Sequence, residues 1–343
     1  MTKQGRGLFD EEFKLSKISK AGDALEKLNK YINWELFRKP LENALKNEEK
    51  DEQKGGRPAY DLLLLFKILI LQRMYNLSDH QTEYQINDRL SFMRFLGLTL
   101  SDTVPDEKTI WLFREKLSRN GLIDRLYETF QKQLMKEGVL AQNGSIVDAS
   151  FVDVPKQRNS RDENHDIKNG KPPESFEENP AKKRQKDLDA RWVTKHNEKH
   201  YGYKNHIKID KGSKLITAYT VTDAAVHDSQ ALEKLLTDDD AHHDLFGDSA
   251  YSGDPIAKNL KQRTIRNRIN EKGYRGNPLT EVQRERNKHK SRTRARVEHV
   301  FGFIESVFKG SFIRSIGIIR ARVMIGLTNL CYNLRRYMVL QAV

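Results

Sequence analysis

The chain predicts two regions of different make-up, an all-α N-terminal region followed by an α/β domain with a mixed sheet. Three observations point there. Up to about residue 140 the apolar residues recur at helical spacing between polar breaks. From Ser145 onward, β-branched and aromatic runs bounded by turn residues appear. Strands come first in that half and then alternate with helices, an order that suits a sheet covered by helices.

Taken in order, residues 1–54 read as a helical arm and linker, with Leu25, Leu28, Ile32, Leu36, Leu41 and Leu45 at loose helical spacing before a charge run from Asn47 to Lys54. Residues 55–140 read as a helical, helix-turn-helix-like DNA-binding domain. It opens on the break Gly55-Gly56-Arg57-Pro58, and Tyr60 to Tyr75 is apolar almost all round, as a helix at the centre of a bundle is. Ser78 and Asp79 offer an N-cap for a helix through Arg89, Pro105-Asp106 opens another carrying Ile110, Phe113 and Leu117, and a helix from Leu122 to Glu137 follows. Arg57, Arg89, Arg94, Lys108 and Arg114 are available for phosphates, although no groove-facing pattern marks base readout and a solvated surface explains them equally well.

Residues 141–340 read as the α/β domain, beginning with a strand at Ser145 to Val154. Residues 156–199, charged and rich in proline, predict a flexible polar insertion with poor packing prospects, in which Trp192 is the exception. Tyr201 to Asp210 and Leu215 to Asp223 form a hairpin across Lys211-Gly212-Ser213. Asp228 to Leu236 is a short helix, Asp244 to Gly253 a strand ending on a carboxylate, and Thr264 to Asn270 a further strand. After the basic segment Arg284 to Arg296 comes a long helix with Val297, Val300, Phe301, Ile304, Val307 and Phe308 on one stripe, and Ile318 to Leu340 closes the chain. A mixed sheet flanked by helices in this order is of the ribonuclease-H-like kind.

Composition narrows the function. Among 343 residues, 61 Lys and Arg stand against 48 Asp and Glu, a formal charge of +13, which suits a polyanionic partner, nucleic acid first. The single cysteine, Cys331, excludes an internal disulfide framework and a multi-cysteine zinc site, and a reducing, cytoplasmic setting is expected. The densest apolar run, Leu62 to Leu71, contains Lys67 and is well short of the roughly 20 residues that span a bilayer. No Gly-rich phosphate loop ending in Gly-Lys-Ser/Thr is present, so no nucleotide cofactor is expected.

The anomaly is Asp148. A carboxylate inside a run that is apolar on both faces is expensive to bury unless it is paired or coordinated. Asp248 at a strand end and Glu298 on a helix are the other carboxylates set beside apolar residues where convergence is conceivable. On a helical wheel Arg294, Glu305 and Lys309 share the face of Glu298. His242-His243-Asp244 has a metal-site composition, but adjacent histidines cannot both face one ion from a regular strand, so a solvated turn is expected; Asp228 is expected to cap its helix.

Six segments appear in order: Ile146-Val147-Asp148-Ala149-Ser150, Asp189-Ala190-Arg191-Trp192, Tyr201-Gly202-Tyr203-Lys204-Asn205-His206, Val226-His227-Asp228-Ser229, Gly247-Asp248-Ser249-Ala250-Tyr251 and Arg294 to Gly302. Together they resemble bacterial insertion-sequence transposases of the DDE superfamily, in the insertion sequence five group, and the helical part from Arg57 to about Leu117 resembles that group's N-terminal domain. The resemblance implies that Asp148, Asp248 and Glu298 are the catalytic, metal-binding triad, with Mg²⁺ or Mn²⁺, two ions about 4 Å apart, activating a hydroxyl and stabilising the leaving oxygen. It implies double-stranded DNA, as element ends and as target, for a partner, contacted by Arg57, Arg114, Lys204, Arg292, Arg294, Arg296 and Lys309, with Trp192 and Tyr251 available for base stacking. A homodimer or larger synaptic complex follows from the need to join two ends.

Two positions depart from the related signature: Ser291 stands where a tyrosine is expected and Glu305 where a basic residue is, with Lys309 as a candidate replacement. A DNA-binding protein derived from such an element but no longer cutting, and a structure-specific nuclease on the same fold, are the competing readings. Asp153, which alternates to the opposite face of the strand from Asp148, is the natural control.

Overall fold

The structure is a computed structural model that describes residues 9–45, 59–140, 143–195 and 197–342. The chain forms two compact units, Met1–Thr129 with Leu334–Val343, and Phe130–Asn333. Helices α1 (Asp10–Lys20), α2 (Ala24–Tyr31), α3 (Arg38–Leu45), α4 (Leu62–Met74), α5 (Asp79–Asp88), α6 (Leu90–Leu96) and α7 (Glu107–Arg119) make up the first; α8 runs Leu122–Lys136. Helix α4 is the apolar one: Leu63, Leu65, Phe66 and Ile68 to Leu71 are all buried, and Asp61 caps it by accepting the Leu63 N–H. Ser78 and Gln81 form the capping box of α5, and Asp106 caps α7, as their sequence positions predict. Helix α6 was not foreseen; it begins because Arg89 turns extended at φ −113° and ends at Gly97, whose φ of 75° suits glycine.

In the second unit, β1 (Ser145–Asp153) is followed by α9 (Arg161–Lys168), α10 (Glu174–Glu177), α11 (Pro180–Arg184), β2 (Arg191–Lys195), β3 (Glu198–Asp210) and β4 (Ile216–Asp223). Then come α12 (Asp228–Leu235), β5 (Asp244–Gly247), α13 (Asp254–Gln262), β6 (Arg266–Ile269), α14 (Glu281–Arg294), α15 (Arg296–Phe308) and α16 (Ile318–Gln341), the last residues of which, from Leu334, count with the first unit. The strand order is β2-β3-β1-β5-β6, with β4 also on β3. Strands β2, β4 and β1 run antiparallel to β3, whereas β5 is parallel to β1 and β6 parallel to β5. This is the mixed α/β sheet expected, with the predicted hairpin as β3 and β4.

The alternation of β1 sorts its side chains between two cores. Val147 packs with Leu232, Leu235, Leu245, Tyr251 and Ile269 on one side, and Val152 with Tyr203, Val221 and Ile325 on the other. At Gly202 the backbone of β1 comes so close that a Cβ would lie 2.3 Å from the Val152 carbonyl oxygen.

The stretch 156–199 departs from expectation. It carries three short helices and a sheet strand, held by a few deep anchors: Phe176 and Ile167 are buried, and buried Asp187 accepts the Tyr203 hydroxyl at 2.8 Å and the Gly317 N–H at 3.1 Å. Composition misled here because sparse apolar residues suffice when each is fully used. The basic segment after Arg284 is itself helical, as α14, with a capping box from Thr280 and Gln283.

Candidate active site

Strand β1 delivers Asp148, and β5 delivers Asp248 just past its last residue. Ile146 pairs with Phe246 in the parallel ladder, so Asp148, in the middle of β1, and Asp248, one residue past the end of β5, occupy matched positions two residues further on. The Asp248 side chain caps a 3₁₀ turn, Ser249–Tyr251, by accepting the Ala250 N–H at 2.9 Å.

Glu298 lies in the first turn of α15, its side chain 59% exposed. The link is Arg294, the last residue of α14: its Nη1 donates to Asp148 Oδ2 at 2.8 Å and its Nη2 to Glu298 Oε1 at 2.7 Å. Asp148 also accepts the Ala149 N–H at 2.9 Å. Burial pushes its carboxyl up to about 6, against the pull of the Ala149 N–H and Arg294, while Asp248 adds to the rise and Lys195 opposes it. Among the described residues no three His, Cys, Asp or Glu side chains are arranged to hold one ion. The three carboxylates are instead joined through a guanidinium and through the field between Asp148 and Asp248.

The opposite face of β1 has a different make-up. Lys208 and Lys204 of β3, paired in register with Val147 and Phe151, point away from Asp148. Lys204 donates to Asp228 Oδ1 at 2.9 Å and the Val226 carbonyl at 2.7 Å, and Lys208 to Asp240 Oδ2 at 2.5 Å. Buried His206 bonds Thr222 Oγ1 at 2.9 Å, and burial lowers its pKa to about 4, with Asp228 opposing the fall. Lys204 is therefore a buried ion-pair partner and not a phosphate contact. Asp228 does not cap α12 either; His227 does, freeing Asp228 for Lys204. Asp153, on this face, accepts the Tyr201 N–H at 3.3 Å.

The other expected site residues are scattered. Arg57 lies outside the described residues. Arg114 makes a fork with both oxygens of Asp79, at 2.6 and 2.8 Å, and braces the helices of the first unit. Arg292 is exposed on α14, and Arg296 is exposed with its Nη1 on the Lys211 carbonyl at 2.7 Å. Lys309 is exposed and caps the C-terminus of α15 in a left-handed conformation, φ 52°, its N–H bonded to the Glu305 carbonyl.

Tyr251 is fully buried and cannot stack on a base; burial, followed by the fields of Asp148, Asp228 and Asp248, raises its pKa. Trp192 is 48% exposed, 4.9 Å from the Tyr201 ring, with Lys156 Nζ 5.7 Å above it. His242 and His243 sit in the solvated turn anticipated, His242 at φ 63°. Lys195 of β2, close enough to Asp148 to lower its pKa, was missed; the alternation of Arg191 to Lys195 was its signal, hidden by treating the stretch as an insertion.

Residues 140–334, more than half of the chain, match the family described as "Transposase DDE domain", and residues 13–116 match one described as a transposase domain. Among solved structures, the chain is similar to a piggyBac transposase synaptic complex with hairpin DNA seen by cryo-EM, at 14% identity and a TM-score of 0.42, over 97% of this chain and 75% of that one. So distant a likeness says nothing of individual site residues. No helix among the described residues is long and apolar enough to cross a membrane.

Proposed function

The chain belongs to the transposase DDE domain family and is a DDE transposase; on that premise we propose that it binds the terminal inverted repeats of its own mobile element, cleaves the ends and transfers the 3′ ends to target DNA by divalent-metal-dependent phosphoryl transfer. One observation carries this reading. The parallel pairing of β1 with β5 brings Asp248, just past the end of β5, level with Asp148 in the middle of β1, and Arg294 ties Asp148 to Glu298.

The donor set fits a hard divalent cation. Asp148 is a carboxylate kept mostly buried, its side chain 17% exposed, with one shared guanidinium and one backbone N–H to offset the loss of water. Asp148, Asp248 and Glu298 would hold Mg²⁺ or Mn²⁺, two ions in all, which when bound supply Lewis-acid stabilisation of the leaving oxygen and an activated attacking hydroxyl. Arg294 holds the triad's first and third members together and must release at least one of them for all three carboxylates to turn toward a common ligand. The freed guanidinium would then serve a DNA phosphate.

Exposed Arg292, Arg296 and Lys309 are the cations we assign to the DNA backbone, and Trp192 to a frayed base. Arg114 and Lys204, both committed to carboxylates, are not among them. Two ends require two active sites, so a homodimer or larger synapse acts on the DNA, in the cytoplasm at the nucleoid.

The experiment uses duplexes carrying the element's ends, with Mg²⁺, with Mn²⁺ or with a chelator. Wild type should bind and cleave only with metal, whereas Asp148→Asn, Asp248→Asn and Glu298→Gln should bind without cleaving. Binding without cleavage by wild type in either metal would instead establish a DNA-binding relic, and cleavage without strand transfer a nuclease.

A further inference from the structure

Helix α14 is 14 residues long and none of them is buried. A helix polar all round has no apolar face to set against a core, so other contacts must hold it. Here they are polar. Lys290 donates to the Ile269 carbonyl at 2.9 Å, Asn270 donates its Nδ2 to Ser291 Oγ at 3.0 Å, and Asn287 exchanges two hydrogen bonds of 2.9 Å with the backbone of Glu271. The Glu271 carboxylate lies 3.5 Å from Lys290 and 3.7 Å from Arg286.

These contacts fix a direction. As the partners advance from Ile269 to Glu271, those on α14 step back from Ser291 to Arg286, so the chain after β6 runs out along the helix antiparallel to it. It starts beside Asp248, because Ile269 pairs with Gly247 and the Asn270 N–H donates to the Gly247 carbonyl at 3.0 Å. The helix returns to the same place, ending on Arg294 at Asp148. Between the two legs, Tyr274 and Asn277 close a tight turn with two backbone hydrogen bonds of 3.1 Å, and Gly276 takes φ 88°. Loop and helix form an arm with its base at the carboxylates and a length of about 20 Å from the helical rise.

The arm is basic. Helix α14 carries six Lys or Arg against two Glu. Arg286 and Lys290 are engaged with Glu271, and Arg294 with Asp148 and Glu298, which leaves Arg284, Lys288 and Arg292 in one exposed stripe at successive turns. Of the two acids, Glu281 lies in the first turn, where a carboxylate suits the helix dipole. Glu285 lies 3.7 Å from Lys288 and 3.6 Å from His289, exposed pairs weak enough for a phosphate to displace. At the tip Lys272 and Arg275 are exposed, and Tyr274 is 60% exposed.

Val282 is the single large apolar residue of α14, so a protein partner finds no apolar row there. A line of negative charge that begins at the active site suits the stripe. From Arg284 to Arg292 the helix advances about 12 Å, the axial length of three to four base pairs, and the whole arm spans about six. Resting on the transposase reading above, we propose that the arm lies along the duplex flanking the scissile phosphate. Arg284, Lys288 and Arg292 contact its backbone, and Lys272 and Arg275 contact phosphates about six base pairs from the cut.

The test measures binding of full-length protein to duplexes carrying an element end, in chelator so that no chemistry intervenes. Arg284→Gln with Lys288→Gln and Arg292→Gln should lower the slope of log affinity against log salt by about 2.7, and Arg284→Lys with Arg292→Lys should restore it. Thermal unfolding checks the fold, and Lys272→Gln with Arg275→Gln, outside the helix, should lower the slope by about 1.8. Neutral methylphosphonate linkages placed over about six base pairs on one side of the cut or the other locate the arm. One of the two patches should weaken wild type at least about tenfold and the triple variant less than about threefold, since each removes what the other needs. Slopes unchanged in both glutamine variants, or equal losses by wild type and triple variant on both patches, would overturn the proposal. Cleavage in Mg²⁺ is read separately. Arm-dependent binding by a wild type that never cleaves would support the arm and sink the transposition reading; cleavage with a slope indifferent to the arm would do the reverse.

Discussion

The two faces of β1 treat buried carboxylates in opposite ways. On the face of Lys208, Asp240 is closed on every side: it accepts Lys208 Nζ at 2.5 Å, Ser145 Oγ at 2.9 Å and the Thr237 N–H at 2.8 Å. On the other face Asp148 has one backbone N–H and one guanidinium that it must share with Glu298. The first arrangement is what a fold does with a charge it needs only for structure, since a buried ion must have its lone pairs filled. The second leaves a carboxylate whose burial is only partly offset, in keeping with the metal-binding role proposed for it.

The largest expected effect separates the faces by activity. Asp148→Asn should lower end cleavage on the order of 10⁴-fold, the scale of removing one member of a catalytic set, with the urea midpoint held or raised. Asp228→Asn should lower cleavage only as far as it lowers stability. If both variants lose cleavage equally at unchanged stability, the comparison breaks.

Next in size is the structural face. Asp240→Ala strands buried Lys208 and should cost about 3–5 kcal/mol in denaturant unfolding. The double change Lys208→Met with Asp240→Leu should recover most of that loss, because the pair's worth lies in mutual compensation.

Third is the pH dependence of the functional face. The Asp148 carboxyl is raised to about 6 in the folded state, against about 4 when unfolded. The folded protein then binds more protons between those values, so this group's contribution falls as pH rises from about 4 to about 6. The penalty is fully present above 6 and gone below 4, worth up to about 3 kcal/mol. Unfolding of wild type and Asp148→Asn in chelator, at pH 4 to 7, should show that slope in wild type only.

The smallest effect concerns the surface. Arg292→Ala should lower the slope of log affinity against log salt by about 0.9 and weaken DNA binding uniformly across sequences. Arg114→Ala, whose guanidinium is held by Asp79, should leave the slope unchanged and lower the stability of the helical unit instead.

Much of this was legible in the chain. The caps Ser78 and Asp106, the hairpin around Lys211, the helical stripe from Val297 to Phe308 and the apolar α4 all follow from local rules, and so does the suspicion attached to Asp148. The errors were of one type. Lys204, Arg114 and Tyr251 were read as available because basic and aromatic residues beside a motif look available, and each is taken up by a partner or a core far away in sequence.

By itself, then, the sequence determined the order of helices and strands, the two regions, the basic character and three carboxylates in motifs that resemble a known family. Period, capping and composition act over a few residues and can be read without coordinates. Which face of β1 each charge occupies, that β5 pairs parallel to bring Asp248 level with Asp148, and that Arg294 reaches Asp148 were decided only by tertiary structure. Burial and pairing are properties of contacts between residues about 25 to 150 positions apart, and no local rule encodes which partner arrives.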